Sequence, residues 1–313
     1  MQLRQLGRSP LYVAPLIFGG NVFGWTADEA MSFRLLDKFV DAGFNAVDTA
    51  DVYARWLPNS VGGESETVLG KWLKTRGNRE NVVIATKCGF DMGGDKKGLS
   101  KRWITQAVDD SLARLQTDYI DLYQAHTDDE TVSLEETLSA FADLIKAGKV
   151  RAIGASNYSV ERLRAALDIS ARLGLPRYET LQPHYNLVER ERFEGALADL
   201  CTQEQLGVIP YYGLAAGFLS GKYRSEADLT QSVRGRGIKK YLNERGLRVL
   251  AALDEIGVRH AATPAQVALA WLMTKITAPI ASATTPAQLS QLMAAASLSL
   301  SAADIAQLDR ESA

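Results

Sequence analysis

Residues 82–126 read VVIATKCGFDMGGDKKGLSKRWITQAVDDSLARLQTDYIDLYQAH, and this stretch decides the fold. It begins with a short β-branched run at Val82–Lys87, continues through an amphipathic segment at Ser100–Leu115 and ends in a second apolar run at Ile120–Gln124. Runs that are apolar throughout are typical of strands buried on both faces of a parallel sheet. Ser100 can cap the segment between them, because its hydroxyl can accept a free backbone N–H. The stretch therefore predicts a β-α-β unit.

The same alternation of short apolar runs and longer amphipathic segments extends along the chain in both directions. The runs predicted to be strands are Val13–Phe18, Phe44–Asp48, Val82–Lys87, Ile120–Gln124, Val150–Ser156, Thr180–Pro183, Gly207–Tyr212 and Ala278–Ser282. The segments predicted to be helices include Asp28–Ala42, Glu64–Arg76, Ser100–Leu115, Ser133–Ala147, Val160–Leu173 and Arg192–Gln205, with another beginning at Thr263-Pro264. Eight such units predict an α/β fold of the closed (β/α)8 TIM-barrel type. An open doubly wound sheet is the alternative, but its usual GxGxxG dinucleotide fingerprint does not occur in the sequence.

Segments outside these units predict additions to the barrel. Met1–Leu6 and Leu11–Val13 predict an N-terminal hairpin over the barrel floor, and Tyr241–Gly257 and Ser301–Arg310 predict two extra helices. No linker interrupts the chain, so we expect one domain over residues 1–313. The segment Ser220–Lys240 is polar and basic, which fits either a solvated loop or a mobile flap over an anionic cofactor. Its basic residues are Lys222, Arg224, Arg234, Arg236, Lys239 and Lys240.

Composition narrows the class of function. The 313 residues carry a formal net charge of −2, which argues against a general nucleic-acid or anionic-membrane binder. The N-terminus has no signal-peptide apolar region, and no apolar run reaches the length of a membrane helix. Cys88 and Cys201 form no CxxC, and the three histidines show no metal-ligand spacing. We therefore expect a cytoplasmic protein, monomeric or homo-oligomeric, that holds no metal and acts on a small molecule.

Four polar residues stand at or just beyond predicted strand ends. Asp48 and Lys87 end the second and third strands, Tyr53 lies in the loop after the second, and His126 follows the fourth. Each residue alone is more often structural than catalytic. Because the C-terminal ends of barrel strands converge on one mouth, however, all four are expected to meet there.

The segments around these residues carry a family resemblance. They are GFNAVDTADVY at 43–53, IATK at 84–87, SLARL at 111–115 with YIDLYQAH at 119–126, IGASN at 153–157, QPHYN at 182–186 and GFLSGKY at 217–223. This ordered set resembles the aldo-keto reductases, and in particular the bacterial branch related to the potassium-channel β subunits. The resemblance covers essentially the whole chain. It implies a (β/α)8 barrel and NAD(P)H-dependent reduction of aldehydes or ketones to alcohols.

The resemblance implies that Asp48, Tyr53, Lys87 and His126 are catalytic, and elementary chemistry supports these roles. Reduction of a carbonyl needs a hydride at carbon and a proton at oxygen. A tyrosine hydroxyl has a pKa of about 10, and a neighbouring ammonium lowers it. Lys87 would supply that charge, Asp48 would hold Lys87, and Tyr53 would be the general acid. His126 would donate a hydrogen bond to the substrate oxygen.

The resemblance also implies a nicotinamide cofactor site. Ser156, Asn157 and Gln182 would bind the carboxamide, Tyr211 would stack on the nicotinamide ring, and Leu214, Gly217 and Lys222 would follow the pyrophosphate. Ser282, Thr284 and Gln288 would lie at the adenosine end. There Ser282 and Gln288 replace the family's lysine and arginine, which weakens a strict preference for NADPH. Because some bacterial members of the family also lack these basic residues and still use NADPH, NADP(H) is expected with NAD(H) open. Tyr212-Gly213 replaces the family's usual Ser-Pro after the stacking tyrosine.

Substrate selection is expected from loops at the barrel mouth. Phe23, Trp25 and Trp56 are the substrate-binding candidates, with Arg55 and Phe90 as further residues of interest. An aromatic mouth suits an apolar or aromatic carbonyl, whereas Arg55 would attract an acidic one. Two other functions remain open: a non-catalytic or weakly catalytic nicotinamide-binding regulatory subunit of the channel β type, and a barrel isomerase or lyase that needs no nicotinamide.

Overall fold

The computed structural model describes residues 1–231 and 235–313, without the side chain of Arg236. Two short strands pair antiparallel at the N-terminus: β1 (Arg4–Gln5) and β2 (Tyr12–Val13). Eight parallel strands follow: β3 (Ile17–Gly19), β4 (Ala46–Asp48), β5 (Val83–Cys88), β6 (Ile120–Ala125), β7 (Val150–Ser156), β8 (Tyr178–Gln182), β9 (Gly207–Val208) and β10 (Ile280–Ala281). Their order in the sheet is β10-β3-β4-β5-β6-β7-β8-β9.

The sheet closes on itself through backbone hydrogen bonds between its two edges. The N–H of Thr277 donates to the carbonyl of Val208 at 3.0 Å, and the N–H of Ile280 donates to the carbonyl of Pro210 at 2.9 Å. The hairpin covers the floor, because Leu6 and Val13 are buried in one apolar cluster with strand residues that face the barrel interior, such as Leu122. The eight strands thus form the (β/α)8 barrel expected from the sequence, and the hairpin prediction is confirmed.

Four predicted strands are shorter than expected: Phe44–Asp48 pairs over Ala46–Asp48, Ala278–Ser282 pairs over Ile280–Ala281, and a proline explains the other two differences. The run Val13–Phe18 is divided between the hairpin and β3, because Pro15 has no N–H with which to continue a ladder. The run Gly207–Tyr212 pairs as a strand only over Gly207–Val208, since Pro210 interrupts it in the same way. Both prolines leave the following residues free to form irregular backbone.

The helices that surround the strands begin where capping residues allow. They are α1 (Glu29–Asp41), α2 (Glu64–Arg76), α3 (Lys101–Leu115), α4 (Leu134–Lys146), α5 (Val160–Leu173), α6 (Ala196–Gln203), α7 (Glu244–His260), α8 (Pro264–Lys275), α9 (Pro286–Ala294) and α10 (Ala302–Glu311). Ser100 caps α3, and Thr263 and Gln266 form a capping box at α8. The sixth helix begins four residues later than predicted, after Gly195 at φ +87°.

The two extra helices, α7 and α10, pack against each other outside the barrel. Asp304 in α10 accepts hydrogen bonds from Arg259 at 2.8 Å and is 2.8 Å from His260 Nε2, both at the end of α7. Within the described residues no single helix is long and apolar enough to cross a membrane. Only Pro286–Ser297 and Ala302–Glu311 taken together pass that test by length and composition, and the two segments meet at a bend of 118°.

The basic segment after β9 folds into short 3-10 turns at Ala215–Ser220, Glu226–Gln231 and Gly235–Tyr241. Arg234 lies outside the described residues. Lys240 pairs with Glu189, and Arg224 pairs with Asp254 at 2.8 Å. Gln231 and Lys222 line the cavity of the barrel mouth, so this segment borders the space over which the sequence analysis considered a flap.

Candidate active site

Lys87 and Asp48 form a buried ion pair at the C-terminal ends of β5 and β4. Lys87 Nζ donates to Asp48 Oδ1 at 2.6 Å, to the Thr49 carbonyl at 2.7 Å and to Tyr53 Oη at 3.1 Å. The side chain of Lys87 is fully buried. Because all three ammonium protons have acceptors, the charge is retained without water. The strand ends therefore bring together three of the four residues predicted to be catalytic.

The second carboxylate oxygen of Asp48 is held from the far side of the barrel. Gln182 Nε2, at the end of β8, donates to Asp48 Oδ2 at 2.8 Å, and Gln124 Nε2 lies 3.4 Å from the same oxygen. Gln124 was not predicted as a site residue. Its signal in the sequence was weak: a polar side chain near the end of a strand that already contains Asp121. The pair of glutamines fixes the orientation of Asp48 and hence of Lys87.

Burial and charge act in opposite directions on Tyr53. Burial raises the pKa of the Tyr53 hydroxyl above its usual value, whereas Lys87 lowers it and Asp48 raises it. The lowering by Lys87 was expected, but burial outweighs it, so the net direction is upward. For Lys87, burial opposes the charged form, yet Asp48 and Tyr53 together raise the pKa of the ammonium. Lys87 is therefore charged and Tyr53 protonated near neutral pH.

His126 follows β6 and is buried beside Tyr53, with ring centroids 6.0 Å apart. Burial, with the charge of Lys87, holds the pKa of His126 well below its usual value. The ring is therefore neutral at pH 7. Its Nδ1 has no hydrogen-bond partner among the described residues, and Phe90 lies against the ring at 4.0 Å between centroids. A neutral imidazole retains one N–H and can donate it.

These residues lie at one end of a cavity of about 820 Å³ in the barrel mouth, and we call this the proximal end. Tyr211 Oη donates to Asn157 Oδ1 at 2.8 Å, and Asn157 Nδ2 donates to the carbonyl of His126 at 2.9 Å. The hydroxyl of Ser156 donates to the Gln182 carbonyl at 2.8 Å. The predicted carboxamide ligands and the predicted stacking tyrosine therefore share one network beside the ion pair.

Ser282, Thr284 and Gln288 line the same cavity from the segment after β10 and the start of α9, and we call this group the distal end. Ser282 Oγ donates to Asn21 Oδ1 at 2.6 Å, and Gln288 Oε1 accepts from the backbone N–H of Thr284 at 2.9 Å. Among the cavity-lining residues that the structure describes, Lys222 is the one lysine or arginine. The distal groups are thus neutral and bonded to their own neighbours.

The wall between the two ends has unusual backbone. Leu214, Gly217 and Lys222 line the cavity there. Ala215, Ala216 and Gly217 all have positive φ, at +48°, +57° and +103°. The N–H groups of Ala215 and Gly217 donate to the carbonyls of Tyr212 at 2.7 Å and Leu214 at 2.8 Å, so the loop is closed by its own hydrogen bonds. The group there that suits an anion is the Lys222 ammonium.

The predicted substrate residues divide into three cases. Trp56 lines the cavity and is 47% exposed. Trp25 is not among the lining residues, but its ring meets Trp56 edge-on at 5.3 Å. Phe23 corrects the prediction: it is 0% exposed and its ring packs edge-on against Phe18 at 5.2 Å. The turn at Gly20–Val22 directs Phe23 into the core and away from the cavity. Phe90 and Tyr212 line the cavity instead.

Comparison with known proteins agrees with this geometry. The aldo/keto reductase family model matches residues 15–312. The chain is 33% identical to Protein tas of Escherichia coli, over 99% of this chain and 97% of that protein. It is 35% identical to the uncharacterized oxidoreductase YrpG of Bacillus subtilis, over 96% and 92%, and 33% identical to the aldo-keto reductase YhdN of Bacillus subtilis, over 88% and 81%. Family members are oxidoreductases that act on small-molecule carbonyls with nicotinamide cofactors. The chain belongs to the aldo/keto reductase family.

Proposed function

We propose that this protein reduces aldehydes or ketones to alcohols with NAD(P)H, and that Tyr53 is the general acid. One observation carries the proposal: Tyr53 Oη lies 3.1 Å from Lys87 Nζ, which is 2.6 Å from Asp48. A phenol bonded to a buried, paired ammonium can release its proton to a substrate oxygen, because the ammonium stabilises the phenolate left behind.

The surrounding residues would divide the remaining work. Asp48 keeps Lys87 charged and oriented, and Gln182 and Gln124 keep Asp48 in place. His126, which is neutral and lines the cavity, would donate an N–H to the carbonyl oxygen as negative charge develops. The burial of these side chains excludes water from the proton transfer.

The cavity fits a nicotinamide dinucleotide in its donor set. At the proximal end the amide and hydroxyl groups of Ser156, Asn157 and Gln182 suit a carboxamide, and Tyr211 offers a ring face. Gly217 and Lys222 suit a pyrophosphate, because a residue without a side chain lies beside an ammonium at the cavity wall. Leu214, Ser282, Thr284 and Gln288 would complete the site. When bound, the reduced cofactor supplies the hydride.

We expect NADP(H) as the cofactor, with NAD(H) as the alternative. The neutral side chains of Ser282 and Gln288 can form hydrogen bonds with a ribose hydroxyl or with a 2′-phosphate. Neither side chain supplies a charge that would select NADP(H) over NAD(H). We further propose that residues 1–313 form one barrel domain that works in the cytoplasm, as a monomer or homo-oligomer, without nucleic acid or membrane.

The proposal is tested with a panel of aldehydes, ketones and quinones assayed with NADPH and with NADH. The matched variant is Tyr53→Phe, which removes the hydroxyl alone, and Tyr12→Phe on the hairpin is the control. We expect the wild type to reduce at least one carbonyl of the panel. In Tyr53→Phe we expect cofactor binding to be retained and turnover to fall by at least about a hundredfold. Near-wild-type turnover by that variant contradicts the acid role. Cofactor binding by the wild type without turnover of any carbonyl would favour the regulatory-subunit alternative.

A further inference from the structure

Tyr212, directly after the predicted stacking tyrosine, is held in an unusual conformation. Its φ is +57°, in the left-handed region where a bulky side chain is uncommon because Cβ crowds the backbone. The side chain is 51% exposed and lines the cavity. An aromatic residue that is strained at its backbone and only half-buried contributes little to the core. Such strain is found where a site requires a particular side-chain position.

The surrounding backbone holds Tyr212 in place. Its carbonyl accepts hydrogen bonds from Asn186 Nδ2 at 2.9 Å and from the N–H of Ala215 at 2.7 Å. Its ring packs against His184 and Tyr211, each at 5.2 Å between centroids. The ring therefore has a fixed support on one side and faces the cavity on the other.

Two further rings stand across the mouth from Tyr212. Trp56 and Phe90 follow β4 and β5, are 47% and 37% exposed, and line the same cavity. In the closed eight-strand order β5 and β9 are four strands apart, so the loops after them lie on opposite sides. Tyr53 lines the same cavity, so the reacting hydroxyl borders the space that these three rings line.

The charges around this gap favour a neutral ligand. Among the described lining residues the formally charged side chains are Asp48 and Lys222. Lys87 neutralises Asp48, and Lys222 lies beside Gly217 and over the Tyr223 ring in the loop after β9. A flat ring between Tyr212 and Phe90 would gain offset or edge-to-face contacts, whereas an alkyl chain would gain less.

We propose that Tyr212 is a specificity-determining residue that forms, with Trp56 and Phe90, an aromatic slot for flat aryl carbonyl substrates. The inference rests on the proposed function, since it names the substrate class of the same site. An aryl aldehyde in the slot would place its ring between the side chains and its carbonyl oxygen toward Tyr53.

The test compares kcat/KM for 2-naphthaldehyde and butanal in Tyr212→Gly, Tyr212→Phe and the wild type. Glycine accepts the positive φ, so the loop keeps its backbone while the ring is removed. We expect the naphthaldehyde-to-butanal ratio to fall about tenfold in Tyr212→Gly, mainly through KM for naphthaldehyde, and to be kept in Tyr212→Phe. Tyr12→Ser, at an exposed tyrosine on the hairpin, should leave the ratio unchanged. A ratio within twofold of wild type in Tyr212→Gly overturns the proposal.

A binding measurement separates this inference from the proposed function. The probe is 2-naphthylmethanol, titrated by calorimetry into each variant saturated with NADP⁺. If the wild type reduces no carbonyl but Tyr212→Gly binds the alcohol about tenfold more weakly and Tyr212→Phe does not, the slot is supported and the proposed function fails. If the wild type is active and Tyr212→Gly binds the alcohol as tightly as wild type, the slot is overturned while the proposed function stands.

Discussion

The two ends of the cavity are built from opposite kinds of group. At the proximal end Lys87 is fully buried and its ammonium contacts Asp48, Thr49 and Tyr53. At the distal end Ser282 and Gln288 are neutral, partly exposed and bonded to nearby groups. Strand ends supply Asp48 and Lys87, whereas loop and helix-start residues supply the distal groups.

This difference implies that the proximal end sets the reaction rate and that the distal end sets the cofactor preference. A buried charge is stable only if every partner is present, so each residue of the proximal network depends on the others. An exposed neutral group can exchange a protein partner for water at little cost. We therefore expect substitutions at the proximal end to change rates strongly, and substitutions at the distal end to change which cofactor is preferred.

The largest expected effect comes from removing the proximal charge. Lys87→Met keeps most of the side chain's length and removes the ammonium, so the phenolate of Tyr53 loses its stabilising neighbour. Turnover of an aldehyde should fall on the order of a hundredfold or more, measured at several pH values with saturating NADPH. Asp48→Asn should cost less, because Lys87 keeps its charge and loses only its orienting partner.

Lys149→Met is the matched control for that prediction. Lys149 precedes β7 on the barrel floor and pairs with Asp109, away from the mouth. Its turnover should equal that of the wild type. If Lys87→Met binds cofactor normally and turns over aldehydes at the wild-type rate, Lys87 has no electrostatic role in the reaction, whatever that reaction is.

A smaller effect is expected at the distal end, where a charge can be added. Gln288→Arg places a guanidinium where the family's arginine stands, and a charge-assisted bond to a phosphate strengthens binding by about 1.5 kcal/mol, or roughly tenfold. The ratio of NADH to NADPH dissociation constants, measured by fluorescence titration, should rise by that factor. Gln116→Arg, at the exposed end of α3, is the control. An unchanged ratio in Gln288→Arg means that position 288 does not face the ribose.

Turnover should change least at a second buried carboxyl beside the proximal network, where the property expected to change is stability. Burial and the neighbouring Glu66 raise the pKa of Asp51 to about 8. Between about pH 4 and pH 8 the unfolded chain has lost this proton and the folded chain keeps it, so the free energy of unfolding falls as pH rises through that window. Asp51→Asn removes this cost, and a difference of about one proton over three pH units gives a gain on the order of 3 to 4 kcal/mol at pH 8 relative to pH 5.

Urea unfolding of wild type and Asp51→Asn at both pH values measures that gain. Asp118→Asn, at an exposed position before β6, serves as the control and should show the same pH dependence as the wild type. A gain at pH 8 no larger than at pH 5 would show that Asp51 is ionised in the folded protein at both.

Much of the fold could be predicted because each prediction depended on local chemistry. The eight strands and most helices follow from hydrophobic periodicity, and the caps at Ser100 and Thr263 were readable from residue type. The errors came where a local signal was overridden. Pro15 and Pro210 divided two apolar runs, and Gly195 delayed α6 because its positive φ is not helical.

The site was predictable in its main members and not in its supporting ones. Asp48, Lys87 and Tyr53 meet as expected, because parallel strands deliver their ends to one face. Gln124 was missed, because its role exists only once β8 brings Gln182 to the same carboxylate. Phe23 was placed at the mouth from proximity in sequence, but one turn of 3-10 helix directs it into the core.

The barrel, the order of its units and the residues that carry charge to its mouth follow from the amino-acid sequence, because periodicity and strand direction are properties of short segments. The balance of forces on those residues arises only when the chain has folded. Burial outweighs Lys87 in setting the direction of the pKa of Tyr53. The chain also folds Tyr212 across from Phe90. Both outcomes depend on distances between residues far apart in the chain, and desolvation and ring contacts act through those distances alone.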